Sequence, residues 1–391
     1  MERLIGIGEG MRRDPFEAGR YATEKACFQL EEEPSLLIVF ASIKLHLADV
    51  IAGIRSANKK TPLIGCSSPK EIAPSGISEG SVVVVAILSD QVVKVAKGEG
   101  FSKSARDTGI SLAEAVIEKD VPTGNMLILA DGVSGNGTEM VKAIYSKTGP
   151  GVKVVGGAAG DDMKFEKTFQ LIQDQVITDA VVGALIPEGS LRLGIGVRHG
   201  FTPDGDPMVV TRSEGNVIYE LDGEPACSVY LEHFGLSDKD FSVLREIQET
   251  HTHPLGSPQM HGEYLIRHFV DANPDGSIIC SAELPHDAVV RVMSSTRESL
   301  IDAAREAAEI AHNNIDREKP SAVILFDCVS RLWVLKEEAE REIEVVKGVF
   351  GEDVPIAGFY TFGEIGPPDG GPPLCHNKTI IVCAICYGRR A

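Results

Sequence analysis

Three acidic residues stand at one distance from a glycine: Glu71 follows Gly65, Asp162 follows Gly156 and Glu364 follows Gly358, each by six positions. Each glycine closes an apolar run and each acid sits in the loop beyond it, in PLIGCSSPKEI, KVVGGAAGDDM and PIAGFYTFGEIG. A carboxylate on a loop that leaves a strand can hold an ammonium group, or it can simply cap a loop amide. Arg331, in VILFDCVSR, offers a planar guanidinium that can clamp a carboxylate through two bonds, or pair with an acid of the chain. Together Arg331 and Glu364 suit the two ends of a small zwitterion, with Tyr360 and Phe362 over its apolar part. Phe359 completes a cluster of three rings in a chain that is only 6% aromatic, so these rings form either a ligand wall or core packing. Cys328 is a candidate nucleophile, but no histidine stands beside it, and a buried thiol is the competing assignment. His251, His253 and His261 could ligate a metal or haem, yet no cysteine or carboxylate lies at ligand spacing and surface histidines are favoured. The chain carries no phosphate loop, no G-x-S-x-G elbow and no H-E-x-x-H helix, which removes the usual handles for nucleotide binding, hydrolysis and metalloproteolysis.

The elements that must position these residues recur in one order: strand, helix, strand, acidic loop, strand. It runs through 36–88, again through 126–186, and a third time through 322–385. Loops at the carboxyl ends of sheet strands are the usual ligand sites of α/β proteins, which makes the acidic loops the leading site candidates. The expected fold is therefore α/β, as two related domains with mixed sheets built from repeated strand-helix-strand-strand units. Helix-linked strands imply largely parallel neighbours with right-handed crossovers. A shift to Pro, Gly and Asp between 200 and 223 places the boundary there, giving domains 1–222 and 223–391. Ser295 and Glu298 read as a capping box, and 336–350 as one helix stopped by Gly351. Cys383 and Cys386, three apart on a strand, should face opposite ways and cannot bridge.

A chain of 391 residues with 43% hydrophobic and 24% charged content has the composition of a globular protein with two cores. Its formal charge of −19 disfavours nucleic acid and anionic membranes as partners, because phosphate contacts need clustered Lys and Arg. Apolar runs such as 82–88 reach only seven or eight residues, against the roughly 18 a membrane helix needs. The start lacks a signal-peptide core, so a cytoplasmic protein with eight reduced cysteines is expected.

At these residues the chain resembles the FIST family, named for F-box and intracellular signal transduction proteins. The resemblance spans nearly the whole chain: PLIGCSS with Glu71, GFTPDGDP and VTRSEGNVIYELDGEPA in the first half, then YLIR, VILFDCVSR, PIAGFYTFGEIG and HNKT in the second. It implies a cytoplasmic sensory module for a small-molecule ligand, an amino acid or a derivative, wired to signalling output. No kinase, cyclase, methyl-accepting or F-box segment is recognisable, so the output partner is expected to be a separate signalling protein. Two alternatives stand beside this: a small-molecule enzyme using the acidic loops or Cys328, and, because some similar proteins bind haem, a haem-based nitric oxide sensor.

Overall fold

Stretches such as LLIVFAS, buried at every position, need cover on both faces. The computed structural model, which describes residues 4–117, 123–189, 191–236, 252–259 and 263–388, provides it by wrapping three six-stranded sheets around a shared core. That core draws Ile38 and Phe40 from the first sheet, Leu129 and Val155 from the second, and Phe326 and Phe359 from the third. The helices lie outside, sealing the outer faces in separate clusters.

Each unit contributes four strands to its own sheet. They are Ile5–Gly10, Leu36–Ser42, Leu63–Ser68 and Val82–Ile87 in the first, and Lys94–Glu99, Gly124–Ala130, Val152–Ala158 and Ala180–Pro187 in the second. The third supplies Leu191–Arg198, Ala322–Cys328, Ile356–Thr361 and Ile380–Tyr387. Each unit then lends a short hairpin to a neighbour. The first unit's hairpin joins the third sheet, the second's joins the first, and the third's joins the second, which closes a cycle.

The family of mixed α/β sheets expected from the repeats is what forms, but the neighbours are not largely parallel. One pair of strands per sheet is parallel, the pair linked by a crossover helix, and the other neighbours run antiparallel. The third unit begins at Leu191–Arg198, which pairs with Ile380–Tyr387 across nearly half the chain. It is interrupted by a nine-stranded sheet spanning 202–294, whose own core holds Val210, Tyr230, Phe269 and Val292. The boundary at 222/223 falls in a turn inside that inserted sheet, between Val217–Leu221 and Glu224–Pro225. The helix expected at 336–350 begins only at Glu340–Phe350; Lys336–Glu338 is a 3-10 turn, and a separate helix, Val329–Leu335, precedes it and ends where Lys336 takes a positive φ of 53°. Thr296 and Ser299, not Ser295 and Glu298, form the capping box of Arg297–Asn313. Cys383 faces the shared core and Cys386 the outer cluster, as their spacing requires.

The repeated glycines mark where a hairpin from the next unit arrives. Leu171, Ile365 and Ile72 sit opposite Gly65, Gly156 and Gly358 in the three exchanged pairings. A Cβ at these glycines would stand 2.5, 1.8 and 2.1 Å from the carbonyl oxygens of Val39, Ile128 and Leu325 on the parallel neighbour. Backbone, not a flexible side chain, blocks the space. Gly156→Ala is therefore expected to cost about 1–3 kcal/mol or more in urea unfolding. Gly348→Ala is its control: the site lies in the last turn of its helix with nothing within 4 Å, so a stabilisation of up to about 0.5–1 kcal/mol is expected. Equal effects from the two substitutions would contradict the close-approach account.

Candidate functional site

The carboxyl ends of Gly124–Ala130 and Ala322–Cys328 open beneath the inserted sheet, and between them lies a cavity of about 480 Å³. Its floor comes from Gly132 and Val133 after the first strand, and from Cys328, Ser330 and Trp333 where the second strand turns into its helix. Phe362 and Asn377 close one side. The inserted sheet supplies the roof with Asn216, His268, Phe269, Val270 and the 279–281 edge. Phe165, from the 159–169 loop, stands at the mouth and stacks on Phe362 with ring centroids 4.7 Å apart. His268 and Trp333 meet at 5.8 Å.

Among the described residues, no Asp, Glu, Lys or Arg lines this cavity. Apart from His268, its polar groups are hydroxyls, amides and a thiol, partly ordered among themselves: the Ser281 hydroxyl donates to Asn377 Oδ1 at 2.8 Å, and Cys328 Sγ lies 3.2 Å from Ser330 Oγ. Burial, with the nearby Glu364 carboxyl second, pushes the Cys328 thiol up to about 12, so it stays protonated at neutral pH. Such a wall offers shape, stacking and hydrogen bonds.

Of the described residues singled out in sequence, Cys328 and Phe362 reach this wall and the others do not. Arg331 is not open to a ligand, because it is fully buried and its donors are spent. Nε donates to Glu342 at 3.0 Å, Nη1 to the carbonyls of His199 and Lys378 at 2.8 and 3.1 Å, and Nη2 to Leu300 O at 2.9 Å and to Glu342. It has no bond left for a ligand carboxylate. Phe359 stacks on Phe40 at 4.7 Å and meets Phe326 at 6.0 Å inside the shared core. Tyr360 lies on the opposite face of its strand, buried among the outer helices.

The acids also serve structure. Glu364 is sealed from solvent and accepts from the Thr361 hydroxyl, and from Thr379 through its N–H at 3.1 Å and its hydroxyl at 2.7 Å. Glu71 repeats the pattern with Ser68 at 2.6 Å and with Ser81 through N–H and hydroxyl at 3.1 and 2.9 Å. Burial raises both carboxyls to about 7. Asp162 is not their counterpart. The position that pairs as Glu71 and Glu364 do is Gln170, whose amide donates to Ala180 O and accepts from Asp131 N, each at 3.3 Å. Asp162 instead lies partly exposed, 3.8 Å from Lys44.

Trp333, Phe165, His268 and Asn377 were missed. One signal was available: Trp333 is the chain's single tryptophan and lies one helical turn past Cys328. The wall does not fit haem. Among the described lining residues no cationic side chain would meet its two propionates, the Cys328 thiol is not ionised for axial ligation, and His268 is the one imidazole on offer. His253 engages Thr252 at 2.9 Å, away from the cavity, while His251 and His261 lie outside the described residues. Among the described residues no group of three His, Cys, Asp or Glu is placed to hold a metal, and no helix is long and apolar enough to cross a membrane.

Comparison with known proteins gives two domain matches that tile the chain. The FIST N domain matches residues 35–224 and the FIST C domain residues 226–367. An uncharacterized protein of Methanocaldococcus jannaschii is 28% identical over 49% of this chain, although the match spans only 38% of that protein. Uncharacterized proteins of Mycobacterium bovis and Mycobacterium tuberculosis are 25% and 26% identical over 94% and 93% of this chain, and over 95% of their own lengths. Among solved structures, the cyanuric acid hydrolase of A. caulinodans aligns over 98% of this chain and 99% of its own at 7% identity. Its TM-score of 0.37 carries no argument.

Proposed function

The chain belongs to the FIST family, whose domains are generally regarded as sensory domains of signal transduction, and from that premise we propose that it senses a small ligand in the cavity beneath the inserted sheet. The observation that carries this is the wall itself: rings and neutral hydrogen-bonding groups converge on about 480 Å³ at the carboxyl edge of two strands. An amino-acid derivative with masked charges suits that wall better than a free zwitterion, which would lose water at both ends without meeting a counter-charge. The inserted sheet roofs the cavity, so occupancy is felt on a surface that a separate signalling protein could read. The enzyme alternative draws no support from Cys328, whose thiol is held protonated.

A thermal-shift screen of the full chain against amino acids, their derivatives and small neutral rings tests the proposal. A ligand present at 100 times its Kd should stabilise the protein by about 2.7 kcal/mol, provided it does not bind the unfolded chain. Should no compound of the panel shift the transition, the sensory reading of this cavity is abandoned.

A further inference from the structure

The three units differ most at the cavity mouth. Two residues separate Leu63–Ser68 from its hairpin at Glu71, and two separate Ile356–Thr361 from Glu364, whereas residues 159–169 intervene between Val152–Ala158 and Gln170–Ile172. This extra length is organised around one buried side chain. Asp161 Oδ1 accepts from the N–H of Phe165 at 2.9 Å, and its Oδ2 from those of Glu166 and Lys167 at 2.7 and 2.9 Å. Asp162, Met163 and Phe165 all take positive φ, at 57°, 65° and 54°, a conformation that costs non-glycine residues energy and persists only where surroundings enforce it. What the loop achieves by this is to hold Phe165 against Phe362 while leaving it 55% exposed. An aromatic ring held out to water in a strained, hydrogen-bonded loop is a poor use of apolar surface unless something covers it.

This inference rests on the reading of the cavity as a ligand site. We propose that the ligand is a flat, uncharged ring carrying a hydrogen-bonding edge, and that Phe165 determines this preference by extending a stack from Phe362 onto the ligand's face. Offset stacking rewards a planar partner over an aliphatic one of similar size. Asn377, Ser281 and Ser330 supply neutral donors and acceptors for the ring's edge. A carboxylate or ammonium on the ligand would be stripped of water against a wall whose described residues include no Asp, Glu, Lys or Arg, which selects against charge.

Matched probes separate these claims. Nicotinamide and benzamide share rings with nicotinate and benzoate and differ in charge, so calorimetry on the full chain reads charge selection directly. Each amide is expected to bind at least tenfold more tightly than its acid. Phe165→Ala should weaken amide binding about tenfold while leaving the circular dichroism unchanged, because the ring is largely exposed. An acid that binds as well as its amide, in a manner lost in Phe362→Ala, overturns the neutral-ring assignment and keeps the cavity. Unchanged amide affinity in Phe165→Ala overturns the role of that residue. If neither amide binds, the neutral-ring inference falls, while the metabolite screen still decides independently whether the cavity is a sensor site.

Discussion

Arg331→Met is expected to remove about 3–5 kcal/mol of unfolding free energy, because it strands buried carboxyls around the site of a guanidinium that is itself sealed from water. Asp327 Oδ1 lies 3.3 Å from Nε, and Glu342 is bonded by both Nε and Nη2, with the side chains of all three at most 2% exposed. Burial raises both carboxyls above their usual range, so without the cation they must take up protons or ionise in a dry interior. The same guanidinium ties together four parts of the third unit: Val329–Leu335, Glu340–Phe350, the carbonyl of Leu300 in Arg297–Asn313, and the loop at Lys378. Removing an acid as well should restore much of the loss, so the double variant Arg331→Met with Glu342→Leu is expected to be more stable than Arg331→Met alone. Chemical denaturation of the three variants measures this. A loss below about 1 kcal/mol for Arg331→Met would return the residue to the pool of ligand-binding candidates, since an arginine worth so little to the fold has another use.

The second large effect is electrostatic and has a definite sign. Glu364 and Glu71 have folded pKa values near 7, raised by burial from an ordinary 4.5, so each favours folding most when protonated. That contribution is complete below about pH 4.5 and is lost as pH rises through 7, at about 3 kcal/mol per group for a shift of this size. His376 tilts the curve the opposite way over much of the same window, because burial pulls it down to about 4 and it must stay neutral to fold. The readout is therefore the difference between the wild type and Glu364→Gln. The variant should gain on the wild type by about 3 kcal/mol between pH 4.5 and 7, and Glu364→Gln should fold well. Its amide oxygen can take the Thr379 N–H while its nitrogen donates to the Thr361 hydroxyl. Nature's own control is Gln170, which fills the corresponding place in the second unit and is fully buried there. A pH-independent difference would mean that the donors around the carboxylate fully offset its burial.

How much of this could be read from residue order depended on how local each constraint is. The glycine repeat was legible because a strand pressed against a neighbouring carbonyl tolerates no Cβ, and that demand falls on one residue type at one position. The acid of the second unit was misassigned for the complementary reason. The loop of 159–169 displaces the true counterpart to Gln170, and Asp162 fell by chance on the expected offset. Phe359, Tyr360 and Phe362 looked alike in sequence, yet a strand sends Phe359 into the shared core and Tyr360 to the outer face, while Phe362 begins the loop and reaches the cavity. Arg331 could be recognised as an ion-pairing group but not as a saturated one, since His199 and Leu300 lie far from it in sequence. The exchange of hairpins was invisible for the same reason: Glu71 pairs with Phe359, and no local pattern connects them. The inserted sheet that roofs the cavity hid the start of the third unit by separating Leu191–Arg198 from its own helix.

A ligand read in the cavity beneath the inserted sheet has a reporter built into the chain. Trp333 is the single tryptophan among the 391 residues and stands in the cavity wall. Titrating the full chain with a non-fluorescent ligand that raises its thermal transition should change Trp333 emission with the same Kd that calorimetry gives, and Phe362→Ala should weaken both signals together. A ligand that stabilises the protein while the emission of Trp333 stays constant, and whose affinity Phe362→Ala leaves unaltered, would place the binding site elsewhere.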